Sequence, residues 1–138
     1  MKRLAIISTL VAAATICRAA LPAFPGAEGF GAFATGGRGG DVYHVVNLSS
    51  SATTPGSLAY GIATVPASGR TIVFDVSGYI HISGELRVTA SKLTIAGQTA
   101  PGDGIGLKDG TFRVSGDDAV IRFVRFRDGN SEIGRAHV

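Results

Sequence analysis

The sequence predicts an all-β solenoid, and three observations carry that expectation. Beyond residue 19 the chain is rich in Gly and β-branched residues, poor in long helix formers and free of Trp. Such a composition suits pleated sheets better than helices. Three strand-like runs, Thr71–Val76, Lys92–Ala96 and Ala119–Phe126, begin 21 and then 27 residues apart. Each interval holds two shorter apolar pieces in matching order: Tyr79–Ile82 and Glu85–Val88, then Gly104–Leu107 and Thr111–Val114. A period of roughly 20–30 residues built from short β segments, with no helix between them, marks a coil that stacks on itself. Each strand then lies parallel to its counterpart one turn on, about 4.8 Å away. An antiparallel sandwich is the alternative, but the Asn-Gly or Gly-Asn hairpin turns it favours are missing between the long strands.

At the amino end, Lys2 and Arg3 precede an apolar stretch from Leu4 to Ile16, closed by Cys17-Arg18-Ala19-Ala20. A basic head, a short apolar core and a small-residue exit are the layout of a secretory signal peptide. Residues 1–19 are therefore expected to direct export and to be removed, which makes the protein secreted and extracellular. A buried helix of a cytosolic protein is the competing reading. Bulky Ile16 before Cys17 disfavours a lipid anchor there. The stretch is too short for a bilayer, which takes about 20 apolar residues. With residues 1–19 goes the sole cysteine, so neither disulfide nor thiol chemistry is expected. The formal charge of +3 goes too, leaving ten basic against ten acidic residues. The charge thus supports no nucleic-acid partner and no membrane partner.

Residues 20–41 are a Gly/Pro-rich lead segment, with Pro22, Pro25 and glycines at 26, 29, 31, 36, 37, 39 and 40. That density of breakers excludes a helix or strand. Phe24, Phe30 and Phe33 are expected to pack this loop onto the body of the protein. The Gly36–Gly40 cluster lacks the Lys-Ser/Thr of a phosphate loop. It is expected to let the chain wrap over the end of the solenoid and shield the first coil's edge. Asp41–Leu48 reads as the first strand, a polar turn covers Ser49–Pro55, and Gly56–Ala63 is either one helical turn or a strand.

The blocks Ala23-Phe-Pro-Gly-Ala-Glu-Gly-Phe-Gly31 and Thr35-Gly-Gly-Arg-Gly-Gly40 resemble the opening of secreted pectate lyases. Arg70-Thr-Ile-Val-Phe-Asp-Val-Ser-Gly78, Leu93–Gly104 and Val120–Arg127 are similar to that family's first coils, in the same order. The resemblance runs from about Ala23 to Gly129. It departs at Leu58-Ala-Tyr-Gly-Ile62, where the family usually has Arg before Tyr-Ala-Ile, and at Asp128-Gly129-Asn130, where Pro-Gly-Asp is frequent.

The resemblance implies a right-handed parallel β-helix, of which this chain supplies the lead segment and about three coils over residues 42–131. It implies cleavage of pectate (polygalacturonate) or a related uronan by β-elimination, with a monomer at full length. Abstraction of the proton at C5 requires the adjacent carboxylate to be neutralised, a task for calcium, and the family's base is an arginine. The family places those residues in later coils, so no catalytic residue and no metal ligand is assigned in this chain. Residues 132–138 are expected to be a non-native tail: Ile133-Gly-Arg-Ala-His-Val138 matches translated adapter DNA and continues no coil. A non-catalytic secreted β-helix that binds carbohydrate or the cell surface is the rival reading.

Other candidates are weaker. Arg122, Arg125 and Arg127 crowd one run and could meet uronate carboxylates, though solvation or ion pairs with Asp117, Asp118 or Asp128 are the plainer expectation. Val120, Arg122, Val124 and Phe126 share one face, and Ile121, Phe123, Arg125 and Arg127 the other, so a charge on each face places at least one arginine near a coil edge or a bulge. Asp103, Asp109, Asp117 and Asp118 fit no calcium loop and read as turn residues capping backbone. His44, His81 and His137 lack a zinc spacing, and no Gly-x-Ser-x-Gly elbow is present. Asn47-Leu48-Ser49 is a glycosylation sequon.

Overall fold

The computed structural model describes residues 20–127. The expected signal peptide at 1–19 and the expected tail at 132–138 lie outside the described residues.

Among the described residues nine short strands and one α-helix follow in the order β1 (Asp41–Val45), α1 (Leu58–Ala63), β2 (Arg70–Phe74), β3 (Gly78–His81), β4 (Glu85–Val88), β5 (Leu93–Ala96), β6 (Ile105–Lys108), β7 (Thr111–Val114), β8 (Ala119–Arg122) and β9 (Val124–Arg127), with a short 3-10 turn at Gly97–Thr99 between β5 and β6. They form three sheets of order β1-β2-β5-β8, β3-β6-β9 and β4-β7, and every pairing is parallel. This is a parallel β-helix. β2-β3-β4 and β5-β6-β7 make complete turns, and β8-β9 begin another.

Alternate residues of each strand point inward and stack on the strand above. In the first sheet Tyr43, Ile72, Ile95 and Ile121 form one such row, and Val45 lies under Phe74. Ile80, Leu107 and Phe126 form the row of the second sheet, and Val88 lies under Val114 in the third. Ile72, Phe74, Ile80, Val88, Leu93, Ile95 and Ile105 are fully buried, each contributing about 1.5–3 kcal/mol.

The last three strands of the first sheet, β2, β5 and β8, are each entered through a left-handed residue: Gly69 (φ 95°), Lys92 (φ 57°) and Asp118 (φ 55°). Consecutive corners are tied together, because the Arg70 N–H donates to the Lys92 carbonyl at 3.0 Å and the Leu93 N–H to the Asp118 carbonyl at 3.3 Å.

Several expectations change. The run Ala119–Phe126 is not one strand. Phe123 adopts φ 55° and turns the chain from the first sheet into the second, so β8 and β9 belong to different sheets and face alternation restarts. A one-residue corner without glycine leaves the β-like run unbroken in the sequence. The first strand stops at Val45, and Leu58–Ala63 is a helix. Ser57 caps it, its Oγ accepting the Tyr60 N–H at 3.0 Å.

Of the lead segment's aromatics only Phe24 packs, under the Arg122 guanidinium at 4.2 Å. Phe30 (112% exposed) and Phe33 (60%) point outward, and Ala32 is the buried residue between them. The tight wrap of the glycine cluster does occur. A Cβ at Gly37 or Gly40 would lie 2.0 Å from the carbonyl oxygen of Arg70 or Gly69. Its path, however, runs along the starts of β2, β5 and β8 instead of closing the first coil. At that end α1 buries Leu58, Ala59 and Ile62, and Tyr60 stacks on Tyr43 with ring centres 6.2 Å apart.

Candidate functional site

A coil of short strands has outer faces instead of a single deep cleft, and two of these faces carry chemistry. On the third sheet, inward Leu86 and Val88 force Glu85 and Arg87 outward, and Thr111 and Arg113 stand above them. Glu85 lies between the two arginines, its oxygens 2.6 Å from Arg87 Nε and 3.3 Å from Arg113 Nε. The Arg87 hydrogen bond, with the charge of both guanidinia, holds the Glu85 carboxyl below its ordinary value.

On the second sheet the register lines up Tyr79, Gly106 and Arg125 in one outward row and His81, Lys108 and Arg127 in the next. Gly106 matters here. A Cβ at that position would meet the Tyr79 ring at 2.6 Å, so only glycine lets the ring lie down on the strand above. Over that ring stand Lys108 Nζ at 5.8 Å and the Arg125 guanidinium at 5.7 Å from its centre. Arg125 also donates to the Asp103 carbonyl. His81 Nδ1 is 2.6 Å from Asp109 Oδ2.

The three arginines of the β8–β9 run are thus separated. Arg122 sits against Phe24 and Phe123, Arg125 beside Tyr79, and Arg127 in the outer row with Lys108. Of the plainer expectation, the solvated form holds for Arg125 and Arg127, which are exposed, and no ion pair with Asp117 or Asp118 forms among the described residues; Asp128 lies outside them.

Asp118 instead clamps the lead segment. Its carboxylate accepts the Thr35 N–H at 2.6 Å, the Gly36 N–H at 3.1 Å and the Thr35 hydroxyl. Burial pushes this carboxyl up, but the hydrogen bonds from Thr35 and Gly36, helped by Lys92, prevail and hold it below its ordinary value. The capping reading is right in kind, although the capped backbone is more than 80 residues away in sequence.

Calcium takes about six to eight oxygen ligands. Among the described residues no three of His, Cys, Asp and Glu come together. Asp118 is engaged by Thr35, Asp109 by His81, and Asp103 offers its main-chain oxygen to Arg125. These aspartates do not fit a calcium shell. His44 pairs with Asp75 at 2.9 Å, both exposed, and His137 lies outside the described residues. Asn47 is engaged in its own turn: its Oδ1 accepts the Ser49 N–H and its Nδ2 donates to the Pro55 carbonyl.

Sequence reasoning missed Tyr79, Lys108, Glu85, Arg87 and Arg113 as members of faces. It also missed Arg70, which points into the row that Leu93 and Ala119 continue. Arg70 is buried, paired with both oxygens of Asp41 at 2.8 and 2.7 Å, and donates to the Gly61 carbonyl and Thr64 Oγ1. The hydrogen bonds from Arg70 hold the Asp41 carboxyl below its ordinary value of 3.8.

No family model matches the chain. Curated proteins do. It is 48% identical over 126 residues to a protein of Emericella nidulans named "Probable pectate lyase C", with 89% of this chain covered. Proteins of the same name from Aspergillus fumigatus and Neosartorya fischeri are 47% and 48% identical over 130 residues, covering 94% of the chain. Over this region the chain is similar to proteins named as pectate lyases. It spans about 28–30% of the length of these relatives. At 94% of the chain, the matched region takes in nearly the whole of the described β-helix.

Proposed function

We propose that the chain forms the opening coils of a secreted pectate lyase that cleaves polygalacturonate by β-elimination with the help of calcium. The observation that carries this reading is the 47–48% identity over 89–94% of the chain to proteins named as pectate lyases. Residues 1–19 act as its secretory signal, and the full-length protein works as a monomer. Elimination removes the proton at C5 of a uronate, beside a carboxylate that must be neutralised, and calcium supplies that positive charge. None of its ligands is assigned to the described residues. The part played by this chain is to start the stack on which later coils are built.

At β7, β8 and β9 the side chains of Val114 (42% exposed), Phe123 (65%) and Phe126 (53%) stay in solvent. Taken alone, the 138-residue chain is therefore expected to self-associate through this edge and to release no product. The test compares the 138-residue chain with the complete product of its source gene, assaying unsaturated oligogalacturonides with and without a chelator. Activity in the longer protein alone, abolished by chelation, is the expected result. Product from the 138-residue chain overturns its assignment as scaffold. An inactive full-length protein favours the second reading, a non-catalytic carbohydrate-binding module, for which the cationic face of the second sheet speaks.

A further inference from the structure

We propose that the outer face of the second sheet is a binding subsite for an acidic polysaccharide. Beyond residue 19 the sequence balances ten basic against ten acidic residues, yet the fold does not spread them evenly. The two outward rows place His81, Lys108, Arg125 and Arg127 on one face, and among the described residues Asp109 beside His81 is the acid in contact.

Strand spacing sets the cationic rungs about 4.8 Å apart across the sheet, and alternate residues stand roughly 6.6 Å apart along each strand. A polymer carrying one carboxylate per sugar can satisfy such a ladder with successive groups, whereas a neutral polymer cannot. The cations are also held in place. Lys108 and Arg125 flank the Tyr79 ring, which is itself laid flat by Gly106, and Arg125 is tethered to the Asp103 carbonyl. Side chains fixed in this way lose less freedom on binding than solvated lysines and arginines.

That the polymer is a uronan rests on the lyase reading, whereas the anion preference rests on the face alone. Product release by the full-length protein tests the first without touching the second.

The experiment immobilises the full 138-residue chain at low density, so that self-association does not contribute, and passes polygalacturonate and fully methyl-esterified pectin over it. Binding of polygalacturonate only is expected, with affinity falling tenfold or more in Lys108→Gln/Arg125→Gln. Tyr79→Ala, which removes the ring but no charge, is expected to weaken binding about threefold. The charge-matched Arg38→Gln/Lys92→Gln chain keeps its affinity, and circular dichroism melts show that each variant is folded. Four results overturn the proposal: no binding, equal binding of the methyl ester, equal loss in both double variants, or equal binding of single-stranded DNA.

Discussion

Around β1 and β2 the stack is closed by side chains that exist to close it: the helix α1 with its buried Leu58 and Ile62, and the Arg70–Asp41 pair set into an otherwise aliphatic row. At β7, β8 and β9 the inward rows continue to the last described strand with Val114 and Phe126 and meet solvent there. In a one-dimensional stack every turn is held by its neighbours, so a terminal turn needs either a cap or another turn. The first end has a polar and helical cap. At the other, among the described residues, side chains of the inward rows stay exposed.

Removing the cap should produce the largest effect. Arg70→Ala leaves the Gly61 carbonyl without its guanidinium donor and Asp41 without its bidentate partner, and is expected to cost about 3 kcal/mol, measured by denaturant unfolding. A loss below about 1 kcal/mol would show that α1 alone seals this end.

Asp118→Ala frees the lead segment at Thr35 and Gly36 and should cost about 1–2 kcal/mol. Limited proteolysis should then cut within residues 20–40 before it cuts the coils. This contribution depends on pH. The folded carboxyl sits below its ordinary value of 3.8, so its stabilisation is complete above that value and is lost as pH falls through the folded value. The gap between parent and Asp118→Ala should therefore narrow on acidification below about pH 4. A gap that widens there refutes the clamp.

The smallest effect sharpens the contrast from the other end. Phe123 holds a left-handed φ of 55° that a bulky side chain disfavours. Asn tolerates that conformation, and Phe123→Asn also removes an exposed aromatic ring. It should raise stability by about 0.5–1 kcal/mol and reduce light scattering by the chain. Destabilisation instead would mean that the contact between Arg122 and Phe123 outweighs the strain.

The strands of the complete turns were legible because their alternation is strong. Ile72 and Phe74, or Leu93 and Ile95, announce an inward row without any knowledge of neighbours. An edge or bulge near Arg122, Arg125 and Arg127 was legible from a charge on each face, but its place at Phe123 was not, because no glycine marks it. Arg70 was hidden because a charged residue at the head of an apolar run reads as a boundary, when its guanidinium in fact plugs the row. Phe30 and Phe33 misled for the opposite reason: apolar character alone does not say which side of a turn faces inward.

The two outer faces were unreadable for a different reason. Tyr79, Gly106 and Arg125 form a rung only through register, and Gly78 pairs with Ile105 while Ile105 pairs with Val124. The offset changes from one turn to the next, so no fixed spacing in the sequence brings these residues together.

Most of that changing offset arises at one place in each turn. The links from the first sheet to the second are residues 75–77, then 97–104, then Phe123 alone, whereas both links from the third sheet back to the first run four residues, 89–92 and 115–118. The left-handed corner at Lys92 or Asp118 resets the phase of each turn, whatever length its first link had. Insertions and deletions at that one corner can therefore accumulate without dephasing the stack. Within 97–104 Gly97 and Thr99 are tied to the stack, so the exposed tip at 101–103 is where inserted sequence is expected to leave the fold intact.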